Sequence, residues 1–225
     1  MQMKKQSSIK GLILSTIALC SLLLSGNAAH AALVTYSFGG TVGSVSGALK
    51  STLPAGSSMQ GTFSYNTVPS GTTGRYMDAV QTLSFTIGGY SVALEPMGET
   101  NIIRITDSSS GDLWRLRTSV ESPTDDSIGA GMFKPVDFRL DLANEDGDAF
   151  TGKALNNPPS LDSLTSTHWR LVFEDNDGKS VRVQGVLNSL TAVPLPAAVI
   201  LFGAGLISLV GLGAGGLRNL RRPQV

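Results

Sequence analysis

By side-chain type, this chain offers two clusters of carboxylates and a solitary histidine for chemistry. Asp141, Glu145, Asp146 and Asp148 form one cluster, and Glu174, Asp175 and Asp177 form the other. Oxygen-rich loops suit calcium, so Asp146, Asp148, Asp175 and Asp177 are candidates for an irregular calcium site. A regular calcium-binding helix–loop–helix is excluded. A loop placed on Gly147 would run from Leu142 to Lys153, and one on Gly178 from Phe173 to Gln184; both lack the first and last ligands. The plainer reading is that these acids favour turns and keep them solvated. No metal and no cofactor is expected.

His168 would have to be the general base of any Ser-His-Asp arrangement. It stands beside Trp169 at the start of an alternating segment, and no G-x-S-x-G is present, so it reads as a surface histidine. Cys20 is the only cysteine, which rules out Cys/His zinc centres. A glycosidase needs two carboxyls facing each other roughly 5–10 Å apart. With 17 acids in the chain, spacing alone cannot select such a pair. The chain is therefore not read as an enzyme. Trp114 and Trp169 could serve as sugar platforms, but their alternating surroundings favour the core.

The elements that position these residues are strands. Apolar residues alternate at Met59, Phe63 and Tyr65, at Leu83, Phe85 and Ile87, and at Phe138, Leu140 and Leu142 against Asp137, Arg139 and Asp141. Trp169, Leu171 and Phe173 flank Arg170, while Val181 and Val183 flank Arg182. Leu113, Arg115 and Arg117 share the parity opposite to Trp114. A period of two with one polar face predicts half-buried antiparallel strands. Gly88-Gly89 and Asn176-Asp177-Gly178 predict hairpins, and Gly43–Gly47, Pro69–Gly74, Ser108–Gly111 and Gly152–Thr167 predict loops. About eight to ten strands in this pattern predict an all-β fold, a single antiparallel β-sandwich of jelly-roll type over residues 32–192. No internal repeat and no second domain are visible.

Charge is segregated along the chain. All 17 acidic residues lie between Asp78 and Asp177, and 11 basic ones lie between Lys50 and Arg182, so the domain carries a net of −6. That balance argues against a nucleic-acid partner.

Both ends address the chain. Lys4, Lys5 and Lys10 precede the apolar run Gly11–Leu24, and Ala29-His30-Ala31 follows, which predicts a secretory signal peptide over residues 1–31 cleaved after Ala31. Cys20 follows Leu19 rather than a small residue, so it belongs to the apolar run. At the other end, Val193, Pro194, Leu195, Pro196 and Ala197 open an uncharged stretch that reaches Leu217 and stops at Arg218, Arg221 and Arg222. As a helix that stretch spans roughly 31 Å at about 1.5 Å per residue, enough to cross a bilayer. The arginines fit a short inner tail with the domain outside.

These C-terminal residues carry a resemblance. The segment over residues 193–225 resembles the VPLPA variant of the PEP-CTERM sorting signals of Gram-negative bacteria; the commoner form has Glu where this chain has Leu195. The resemblance implies an exosortase-type membrane processing enzyme as partner, export, and a place near exopolysaccharide. It covers the tail alone and transfers no activity to the domain. The expected protein is a surface or extracellular-matrix component with a structural or adhesive role linked to exopolysaccharide. It would be membrane-anchored with its domain outside, or released after processing. The alternatives are a carbohydrate-binding module and a carboxylate-based hydrolase.

Overall fold

The structure is a computed structural model that describes residues 33–67, 71–130, 132–155 and 157–194. Eleven strands appear: β1 (Leu33–Val45), β2 (Ser58–Asn66), β3 (Gly71–Thr72), β4 (Arg75–Met77), β5 (Val80–Ile87), β6 (Tyr90–Leu94), β7 (Asn101–Thr106), β8 (Asp112–Glu121), β9 (Lys134–Asn144), β10 (Ser166–Glu174) and β11 (Ser180–Ala192). Among the described residues the only helical pieces are two 3₁₀ turns of three residues, Gly47–Leu49 and Leu161–Ser163. The all-β expectation holds.

The sandwich does not. One sheet runs β8-β6-β5-β2-β1-β11-β10-β9, and β9 then pairs with β8 from Asp112↔Asn144 to Ser119↔Asp137. That last ladder closes the sheet into an eight-stranded antiparallel barrel. Alternation specifies that each strand has one buried face; it does not say whether that face meets a second sheet or the far wall of a closed one. β7 shares the other edge of β8 with β6: it takes Leu113–Thr118 and leaves Val120 and Glu121 to β6. β4 and β3 extend the sheet beyond β7.

Both hairpin predictions hold. Ile87 pairs with Tyr90 across Gly88 and Gly89, which adopt φ of 54° and 89°. Positive φ at both central residues is what the tight turn needs, and glycine adopts it without strain. Glu174 pairs with Ser180 around the second turn. Two loop predictions fail in part: the short strand β3 lies inside Pro69–Gly74, and β1 continues through Gly43 and Ser44 to Val45, where Gly43 is the extra residue of a bulge between Val42 and Ser44.

The barrel interior is filled by side chains. Phe85 of β5 and Phe138 of β9 meet across it with ring centroids 4.7 Å apart, and Phe38 lies 6.2 Å from Phe138 and 5.8 Å from Phe63. A barrel of this strand number is just wide enough for such packing, so function must be sought on the outside.

Candidate functional site

Trp114 and Trp169 are each 1% exposed. The Trp169 indole N–H donates to the Val186 carbonyl at 3.1 Å. Trp169 pairs with Gly185, where a Cβ would fall 1.9 Å from the Thr41 carbonyl oxygen and 2.7 Å from Cζ2 of Trp169 itself. Glycine at that position is what lets the indole lie against the β11 backbone. Neither tryptophan is a sugar platform.

With the apolar parity inside, the intervening residues of β8, β9 and β10 face out, and the pairing lines them up. One row runs Arg75, Arg104, Arg115, Asp141, His168, Val186. The next runs Arg117, Arg139, Arg170, Gln184. A third runs Ser119, Asp137, Val172, Arg182. All seven arginines between Leu33 and Val193 stand in or beside these rows. Net charge hid this patch, because it averages an arginine face with acids gathered mostly in turns.

Two aspartates hold the centre of the patch. Asp141 accepts from Nε of Arg115 at 2.6 Å and Nη2 at 3.3 Å, and from Nε and Nη2 of Arg139, the Nε bond at 2.7 Å. Burial pushes the Asp141 carboxyl upward, but the hydrogen bonds and charges of Arg115 and Arg139 outweigh it and hold the group below its ordinary value. Asp137 accepts from Nε of Arg117 at 2.7 Å and lies 3.8 Å from Nη2 of Arg170. Nε of Arg170 and Oδ1 of Asp137 are buried without a hydrogen-bond partner. Four guanidiniums thus share two carboxylates, and Arg75, Arg104 and Arg182 have no acidic partner among the described residues.

Besides a groove of about 430 Å³ lined by Ser46, Arg170, Val172, Ser180, Val181 and Arg182, two grooves flank the patch. One, about 400 Å³, lies over β9, β10, β11 and the β1 bulge, and is lined by Arg139, Asp141, His168, Arg170, Gln184 and Val186, with Gly43, Ser44, Trp169 and Gly185. The other, about 630 Å³, adjoins the β6–β7 turn and mixes Arg117 and Arg170 with Glu95, Glu99, Asp137 and Glu174. His168 is exposed in the first groove, opposite Asp141.

Of the carboxylate candidates, Asp175 holds its own turn together. Oδ1 of Asp175 accepts the backbone N–H groups of Asp177 at 3.1 Å and Lys179 at 2.9 Å. Asp146 and Asp148 are exposed in a turn that buried Asp112 fastens, by accepting from the N–H groups of Ala149 at 2.9 Å and Phe150 at 3.2 Å. Among the described residues no three His, Cys, Asp or Glu side chains gather where they could hold a metal ion. Val193 and Pro194 are exposed, and the Val193 N–H still donates to the Thr35 carbonyl at 2.8 Å. Ala29, Ala31, Leu195, Pro196, Ala197, Arg218, Arg221 and Arg222 lie outside the described residues, as do the signal peptide and the C-terminal apolar stretch.

The arginine rows had a signal in the sequence. Arg115, Arg117, Asp137, Arg139, Asp141 and Arg170 all alternate with core residues. What the sequence does not carry is that these three strands are neighbours. No protein family, characterised protein or solved structure matches this chain.

Proposed function

We propose that this chain is an exported surface or matrix protein whose barrel adheres to exopolysaccharide through its arginine face. The observation that supports it is the gathering of all the barrel's arginines on one side of a domain that is otherwise acidic. Export, the exosortase-type processing enzyme and the C-terminal membrane helix belong to the same proposal, and rest on the sequence at the two ends. The VPLPA motif begins where the barrel ends: Val193 is tied to Thr35, and Pro194 follows directly.

Recognition of neutral sugar by stacked aromatics has little to work with, since both tryptophans are buried. The hydrolase alternative is no better served. Asp137 and Asp141 are held by arginines, and the Asp141 carboxyl, kept below its ordinary value, is ill suited to donate a proton to a leaving group.

The test is fractionation and intact mass in the native host, beside a chain stopped after Pro194. Retention in the matrix, release by salt, and a mature form running from Ala32 to the proline motif are expected. Recovery in the soluble fraction, whether or not exopolysaccharide is made, would overturn adhesion. A membrane-bound form that keeps Val225 would overturn processing.

A further inference from the structure

We propose that the groove over β9, β10 and β11 binds carboxylate-bearing polysaccharide, with Arg139 and Arg170 receiving the ligand's carboxylates. The proposal rests on the adhesion reading above and names its ligand class.

Arg117, Arg139 and Arg170 stand directly opposite one another on three adjacent strands. Like charges placed so are unfavourable across a sheet. Asp137 and Asp141 relieve this only in part, because two carboxylates serve four guanidiniums. The row therefore has an unmet demand for anions. A planar carboxylate matches the guanidinium fork in two parallel hydrogen bonds.

The two grooves differ in what they would admit. Four acids line the one beside the β6–β7 turn, whereas the β9–β11 groove has only Asp141, already occupied by Arg115 and Arg139. Its volume of about 400 Å³ lies within the roughly 300–1,000 Å³ usual for small-ligand clefts. Gln184, His168 and Ser44 supply hydrogen-bonding groups for sugar hydroxyls, and Val186, 41% exposed, supplies an apolar contact. The arginine row runs across the strands and out of the groove, so successive acidic sugars of one chain can be met in turn. Nucleic acid fits less well. It has few rings to stack on, since the rows contain no Phe, Tyr or Trp and His168 alone offers a ring, and the net charge of the domain is −6.

The test uses the full-length chain in detergent, with binding measured to polygalacturonate, dextran, heparin and duplex DNA at low and high salt. Binding to polygalacturonate that weakens with salt is expected, with dextran inert. Arg139→Gln and Arg170→Gln should each weaken it by roughly 10- to 100-fold. Arg139→Lys and Arg170→Lys should fall between, since lysine keeps the charge and loses the fork. Val186→Glu places a carboxylate in the groove without touching an arginine and should weaken binding as well. Thr62→Ala, on the far side of the barrel, should change nothing. Equal binding of dextran, indifference to both the arginine variants and Val186→Glu, or a preference for heparin or DNA would overturn the proposal. If polysaccharide extracted from the host retains the chain while polygalacturonate does not, the ligand class is wrong and adhesion stands. If neither retains it, both readings fall.

Discussion

The two halves of the barrel wall are made from different alphabets. β6, β5, β2 and β1 are consecutive around the ring and contain no charged residue. Their outward positions pair as hydroxyls and amides: Ser37 with Thr62, Thr62 with Ser84, Gln60 with Thr86, and Ser64 with Thr82. β11, β10, β9 and β8 complete the ring and carry five of the arginines, with β7 and β4 adding Arg104 and Arg75. Both halves bury the same kind of apolar face, so folding does not demand the difference. Ser and Thr satisfy an exposed strand face at little cost. A row of opposed arginines needs half-buried aspartates to hold it, and only one half of the wall carries that arrangement.

The largest expected effect lies at the junction of the halves, where β1 meets β11. Gly185→Ala should cost more than about 3 kcal/mol, because the added methyl cannot avoid the Thr41 carbonyl 1.9 Å from its ideal position. Gly47→Ala, with nothing within 4 Å, should stay within about 0.5 kcal/mol. Urea unfolding of both variants checks this. Equal stability would mean that the bulged junction can shift, and with it the alignment of the arginine rows.

Next comes the carboxylate that organises the charged half. Asp141→Asn leaves Arg115 and Arg139 without an ionised partner in a largely covered setting, and should cost about 2 kcal/mol at neutral pH. The sign of its pH dependence follows from the lowered carboxyl. In the folded protein Asp141 sits below its ordinary value of 3.8, so its contribution is complete above that value and is lost as pH falls through the folded one. Stability of the native chain should therefore drop more steeply below about pH 4 than that of the Asn variant. Parallel acid profiles would mean that Asp141 does not anchor the row. Ser64→Ala is the matching change on the neutral half. It removes the 2.6 Å hydrogen bond to Thr82 and should cost about 1 kcal/mol, with no acid dependence.

How much of this could be read from the sequence divides along physical lines. Alternation around Phe138, Trp169 and Val183 marked the strands and their inner faces, and the glycine turns marked two hairpins, because these are local properties. Closure of the barrel could not be read, because it depends on β8 meeting β9, and the alternation of each strand is the same in a sandwich. For the same reason the outward arginines were each visible as the polar face of a strand but not as a row. Gly43 looked like a loop residue and is a bulge; a Gly/Ser-rich stretch signals departure from regular pairing without saying whether the strand ends or bends. Whole-domain charge misled most, since a sum carries no position.

The smallest predicted change separates the two halves most sharply. Arg139 faces Arg117 on one side and Arg170 on the other. Its removal relieves two like-charge contacts and loses the hydrogen bonds to Asp141, which keeps its two bonds from Arg115. These effects oppose each other, so Arg139→Gln in the unliganded chain should change stability by no more than about 0.5 kcal/mol, in either direction. The same substitution should weaken polygalacturonate binding by at least about tenfold. A side chain that stability can spare and binding cannot is there for the ligand. Should Arg139→Gln instead cost about 2 kcal/mol and leave binding unchanged, the arginine row would be a structural ladder, and the charged half would differ from the neutral half only in how it is held together.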